Sequence, residues 1–205
     1  MRLWTLFIFI SLLFGCGDNI NKVRISQNFK VEGTATIAIL TFKTVGTPHH
    51  LGDKVSEKFA IELVRTNKFR VIDRENARNL FQEAGFQSNL ETMGALDEKT
   101  KVSLKQLGAQ YLMTGSIFNF DERKRYEDNF VLYSRVHVTA KLINIETGEV
   151  VWSSERMKDS KAVNADEKKS KSLLKVELPA KSAEKVLDDI ITEMVDNIVK
   201  HLHKK

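Results

Sequence analysis

Leu3 to Phe14 form an apolar run broken only by Thr5 and Ser11, and Cys16, the one cysteine in 205 residues, stands just beyond it. Twelve residues fall short of the roughly 18 to 20 that carry a helix across a bilayer. They match the apolar region of an export signal, with Arg2 as its basic start. A chain addressed in this way folds outside the cytoplasm. Its single thiol rules out both an intramolecular disulfide framework and a cysteine-cluster metal site. The fold must therefore be closed by a hydrophobic core. A hydrophobic content of 42%, periodically placed, is enough to build one in a single domain. The 32 Lys+Arg against 27 Asp+Glu give a charge of +5, too mild and too scattered for the basic stripe of a nucleic-acid binder.

Leu13-Phe14-Gly15-Cys16 resembles a bacterial lipobox. On that reading a signal peptide spans 1–15, cleavage falls between Gly15 and Cys16, and the Cys16 thiol carries the lipid that holds the protein to a membrane. The alternative is an ordinary secretory signal with an incidental cysteine. Gly17, where an Asp would retain a lipoprotein in the inner membrane, points to the periplasmic face of the outer membrane. The polar, aperiodic stretch that follows reads as a tether, so 16–33 is expected to be a lipidated N-terminus and 34–203 the folded domain.

Within the domain, Thr34 to Phe42 is a short β-branched run that fits a buried strand. Leu51, Val55, Phe59 and Leu63 then recur at helical spacing, and Phe69 to Asp73 follows as a second strand. That order predicts a parallel β-α-β crossover. Asp73 and Gly85 bracket another helical pattern, and Asp97 to Gly108 a thinner one. Tyr111 to Phe120 and Phe130 to Asn144 read as strands. In the latter, Val136, Val138, Ala140 and Leu142 alternate with Arg135, His137, Thr139 and Lys141, the mark of an antiparallel strand wet on one side. Glu146 to Glu149 is turn chemistry before a return strand at Val150 to Ser153. Residues 158–175 read as a mobile polar insert, whose lysines are either simply solvated or a phosphate-binding patch. From Ala183 to Leu202 the apolar residues keep the i, i+3, i+4, i+7 rule, predicting a helix that packs on the sheet. The expected fold class is α/β: parallel crossovers, then an antiparallel meander, closed by a C-terminal packing helix.

Three blocks carry a family resemblance: Ile37 to Phe42 with Phe69 to Arg74 and Leu80 to Glu83; Leu107 to Ile117; and Val138 to Ser153. Together they resemble the curli assembly/transport (CsgG-type) lipoprotein family, whose close relative is the lipoprotein that activates penicillin-binding proteins. The resemblance covers nearly the whole mature chain. It implies an anticodon-binding-domain-like fold that acts through protein contacts rather than chemistry. The pore-forming member adds membrane hairpins in two places. Here the first place offers Asp121 to Asn129, nine residues with seven charged, and the second offers the polar insert. Neither can face hydrocarbon. The resemblance therefore implies a non-enzymatic accessory in protein secretion or envelope assembly that is not itself a pore. Its alternative is a regulator or activator of a peptidoglycan synthase.

No phosphate loop, zincin motif or nucleophile elbow is present, so no catalytic, cofactor-binding or metal residue is assigned and the chain is expected not to be an enzyme. His49-His50 has no third ligand in sequence, His201 and His203 complement a helix C-terminus, Asp188-Asp189 is an acidic surface pair, and His137 lies on the wet side of a strand. The expected partners are a membrane through the N-terminal lipid and envelope proteins of the secretion or cell-wall machinery. A homo-oligomer is compatible with the family. Nucleic acid is excluded by compartment.

Overall fold

The computed structural model describes residues 19–31, 33–72, 98–164 and 177–202. Its elements are β1 (Ile20–Ile25), β2 (Ala35–Ile39), β3 (Lys43–Thr44), α1 (His50–Arg65), β4 (Phe69–Val71), α2 (Glu98–Gln106), β5 (Tyr111–Lys124), β6 (Val131–Asn144), β7 (Val150–Lys161), β8 (Val163–Asn164), β9 (Glu177–Leu178) and α3 (Ala183–Leu202). One mixed sheet runs in the order β1-β7-β6-β5-β2-β4, with β3 beside β5, and β8 pairs with β9 separately. The parallel part is the crossover read from sequence: β2 lies parallel to β4 with Ala35 opposite Phe69, and parallel to β5 with Ile37 opposite Tyr111. The rest is an antiparallel meander, β5-β6-β7, extended by β1.

Alternation decides which face of the meander is buried. Val136, Val138, Ala140 and Leu142 of β6 sink into the main core, where Leu51, Val55, Phe59 and Leu63 of α1 meet Val186, Leu187, Ile190, Met194 and Ile198 of α3. Trp152, fully buried, ends on α3 with its Nε1 donating to Asn197 Oδ1 at 3.1 Å. A smaller core of Ala38, Leu40, Leu104, Ala109, Leu112 and Ile145 lies where α2 covers the β2/β5 end. Phe42 leaves β2 and stacks on Phe59 at 5.0 Å. Its N–H donates to Ser56 Oγ, which in turn lies within hydrogen-bond distance of the Leu40 and Gly52 carbonyls.

The start of α3 is fixed from two directions. Ser182 Oγ accepts from the Lys185 N–H in the manner of an N-cap, and Glu122 Oε2, reaching across from β5, accepts from the Ala183 N–H at 2.6 Å. Burial works to raise the Glu122 carboxyl, but Lys124 and the Ala183 N–H outweigh it and hold it below the usual carboxylate range.

Three expectations need correction. Residues 20–25 are not tether: Ile20 to Ile25 form an edge strand, with Ile25 opposite Trp152 and Val23 opposite Ser154. The strand was hidden because only Val23 and Ile25 face the core, while Lys22 and Arg24 occupy the other side. Residues 158–161 and 163–164 are not a loose insert either, since β7 runs on to Lys161 and Val163 pairs with Leu178. There, polar contacts do what apolar alternation does elsewhere: Arg135 clasps Asp159 across the strands, and Ser160 Oγ accepts from the Lys181 N–H at 2.8 Å. For the same reason β5 continues through the charged residues 121–124. The helix expected between Asp73 and Gly85, the capping role of Asp97, most of the polar insert, His203 and the whole lipobox with Gly15 and Cys16 lie outside the described residues.

Candidate protein-interaction face

With α1 and α3 on one side of the sheet and α2 over its β2/β5 end, the other side of β1, β7, β6 and β5 is left open among the described residues. Register places its side chains in rows across the strands. One row is Ile20, Met157 and His137, completed by Phe118 at the β5 irregularity between Ile117 and Asn119. The Phe118 ring lies 4.9 Å from the His137 imidazole. The next row is Lys22, Glu155, Thr139 and Ser116, and the next Arg24, Ser153, Lys141 and Thr114. In the opposite direction come Asp159, Arg135 and Asp121, then Lys161, Tyr133 and Arg123.

Electrostatics organise the middle of this face and leave its ends cationic. Arg135 grips Asp159 through Nε at 2.7 Å and Nη2 at 2.8 Å, and its guanidinium stands 5.8 Å from the Tyr133 ring centroid. That bidentate hold keeps the Asp159 carboxyl below the ordinary Asp range. Lys22 donates to Glu155 at 3.1 Å and His137 Nε2 sits 3.2 Å from the same carboxylate. Lys22 above all, with His137 helping, holds Glu155 low as well. Both carboxylates are therefore ionised at neutral pH and already engaged. Arg24, Lys141 and Arg123 have no ion-pair partner among the described residues, and Lys161 adds its charge to the attraction on Asp159. The hydroxyls of Ser153, Thr114, Thr139 and Ser116 lie between or beside the first two. Such a surface can recognise another protein by charge and hydrogen bonding.

The sequence-derived candidates disperse over the fold. His49 Nδ1 meets Thr44 Oγ1 at 3.3 Å beside α1, and His201 Nδ1 is 2.8 Å from the Asn197 carbonyl oxygen one turn back. Asp188 binds Lys58 and Asp189 binds Lys181, so the acidic pair is split between two partners. No group of three or more His, Cys, Asp or Glu among the described residues could hold a metal ion. No described helix is long and apolar enough to cross a membrane. A cleft of about 550 Å³ at the sheet end is lined by Lys30, Lys105, Gln110, Tyr111, Asn144 and Glu146. Its polar groups serve the fold: the Tyr111 hydroxyl donates to the Lys30 carbonyl, Gln110 Oε1 accepts from the Thr36 N–H, and Lys105 faces Glu146.

Of the face, sequence reasoning found Arg135, His137, Thr139 and Lys141, because β6 alternates cleanly. It missed Lys22 and Arg24 with the strand that carries them, although Val23-x-Ile25 is itself a period-two signal. Asp159 and Phe118 were missed because they read as polar insert and as uniform strand.

Comparison with known proteins agrees with a non-catalytic module. The family model of the peptidoglycan-synthase activator LpoB matches residues 21–157, a span that contains the described parts of β1 through β7 beyond Ile20 up to Met157. A search of curated protein sequences gives no match. Among solved structures, PelC from Paraburkholderia phytofirmans, a dodecamer, superposes with a TM-score of 0.50 at 12% identity over 91% of this chain and 99% of its own. Lipoprotein GNA1162 from Neisseria meningitidis gives 0.49 at 12% identity over 81% and 99%. The LpoB C-terminal domain from Salmonella enterica gives 0.44 at 16% identity over 65% and 87%. At such identities only the fold is shared. The curli-type assignment is corrected by these findings: the matching family is the activator relative, and the secretion and assembly reading falls with the assignment.

Proposed function

Because the chain belongs to the family of the peptidoglycan-synthase activator LpoB, we propose that it is an envelope lipoprotein that docks on a peptidoglycan synthase of the penicillin-binding type and activates it. It is not an enzyme itself, since the family activates a synthase rather than performing its reaction. The observation that carries the docking reading is the open face of β1, β7, β6 and β5, which falls almost entirely within the matched span and is cationic at both ends among the described residues. The core fold behind it is read as anticodon-binding-domain-like, a rigid support for that face.

The experiment is a charge reversal at one end of the face. Purified synthase is assayed for glycan-strand polymerisation with the wild-type protein and with the double variant Arg24→Glu, Lys141→Glu. Both residues are surface groups without ion-pair partners among the described residues, so stability should change by no more than about 0.5 kcal/mol each. The expected result is that most of the stimulation disappears while the melting temperature holds. Full stimulation by the variant would remove this face from the proposal.

Anchoring is the second part of the reading. Cys16, exposed by cleavage after Gly15, carries the lipid, and the periplasmic face of the outer membrane is the proposed site. With β1 beginning at Ile20, at most residues 16–19 separate lipid from sheet. Four residues extend no more than roughly 14 Å. The body is then held close to the membrane and the synthase has to reach it there. Cys16→Ala should move the protein from the membrane fraction to the soluble periplasm on fractionation, and a variant that stays with the membrane would refute the anchor. PelC is a dodecamer, and self-association of the anchored protein is read as compatible with docking, because the open face is separate from the α1 and α3 surfaces.

A further inference from the structure

The sheet ends at β1, and among the described residues no strand lies beside its outer edge. Which backbone groups point outward follows from one hydrogen bond. The Ser26 N–H donates to the Val151 carbonyl at 2.9 Å, and Ile25 stands opposite Trp152, so Ser26 and Val151 form a hydrogen-bonded pair. In an antiparallel ladder such pairs alternate. Arg24, Lys22 and Ile20 therefore spend their N–H and C=O groups on β7, while Ile25, Val23 and Asn21 turn theirs away from the sheet. Six consecutive residues thus offer a ladder with three donor-acceptor sites, ready for one more strand.

The side chains say what that strand is. Lys22 and Arg24 project on the open face, Lys22 with a side chain 71% exposed. Val23 and Ile25 lie on the helix side, half-buried against the main core. An added strand would set its residues directly opposite Lys22 and Arg24 in non-hydrogen-bonded pairs, where side chains approach most closely. A second copy of this chain is a poor occupant. Antiparallel pairing about Val23 would bring Lys22 of each copy against Arg24 of the other, two like-charge contacts in one short ladder. A strand with carboxylates at alternate positions removes the repulsion, and apolar residues between them would extend the row begun by Val23 and Ile25.

We propose that the outer edge of β1 is a docking site for an extended segment of a partner protein, held by backbone pairing to Asn21, Val23 and Ile25 and selected by carboxylates set against Lys22 and Arg24. This surface adjoins the open face but does not depend on that face engaging a synthase.

The test uses the full lipidated chain in detergent and two capped peptides, Glu-Val-Glu-Val-Glu-Val-Glu and its counterpart with Lys for Glu. Residue-resolved amide exchange should slow by about tenfold or more at Asn21, Val23 and Ile25 with the acidic peptide and stay unchanged with the basic one. Asn21→Pro deletes one outward N–H from an exposed edge position and leaves the bonds to β7 intact, so it should weaken peptide binding by about tenfold without lowering the melting temperature. The double variant Lys22→Glu, Arg24→Glu should reverse the preference between peptides, which decides the matter even if the proline variant folds poorly. Unchanged exchange in β1 with the acidic peptide, equal binding of both peptides, or an unreversed preference in the double variant would each overturn the proposal. No synthase enters these measurements, so their failure leaves the docking reading of the open face standing.

Discussion

Replacing Gly115 by alanine is expected to destabilise the fold by about 3 kcal/mol or more, at or above the upper end of what overpacking usually costs. A Cβ at that position would lie 2.1 Å from the Thr139 carbonyl oxygen and 2.3 Å from the Phe42 ring. Gly115 stands opposite Ala140 in the β5–β6 ladder, so the first clash is with the neighbouring strand's backbone, which no rotamer change can relieve. The second pushes Phe42 off its stack with Phe59 of α1. Because two obstacles act together, trimming Phe42 in a Gly115→Ala background should not restore stability: the carbonyl remains. Urea titration of the single and double variants checks this, and a single variant within 1 kcal/mol or so of wild type would show that the two strands can part locally.

Gly115 also shows what kind of information the sequence carries. Where one face is wet and the other buried, as in β6, period two is visible and the inward residues were identified correctly. The same holds for α1 and α3, whose apolar stripes at helical spacing are the ones that meet in the main core. Legibility fails where polar pairs replace apolar contacts. The outer halves of β5 and β7 are held by Arg135 with Asp159, by Glu122 on the α3 start and by Ser160 on Lys181, and polar residues of that kind look like loop. It fails again for β1, a short edge strand whose lysine and arginine mimic a solvated tether. The candidate face was half-read for this reason: β6 announced its share, and the flanking strands became visible only through register.

Truncation before α3 should abolish the fold, even though α3 lies outside the span that matches the family model. Val186, Leu187, Ile190, Ile191, Met194, Val195 and Ile198 are all no more than 3% exposed. At about 1.5–3 kcal/mol for each buried aliphatic side chain, these seven contribute roughly 10–20 kcal/mol before conformational entropy is set against them. A domain's whole net stability is about 5–15 kcal/mol. The loss goes beyond area. Trp152 would lose its Asn197 acceptor, and Arg156, 8% exposed, would lose the Glu193 carboxylate that its Nη1 meets at 3.0 Å. A nearly buried guanidinium without its carboxylate is costly on its own. A stop codon at Lys181 is therefore expected to yield a chain that lacks a cooperative melt and exchanges its β5, β6 and β7 amides at unprotected rates. Retained protection in those strands would mean that the open-faced sheet stands without its helix, and the division of the molecule into a supporting side and a binding side would have to be redrawn.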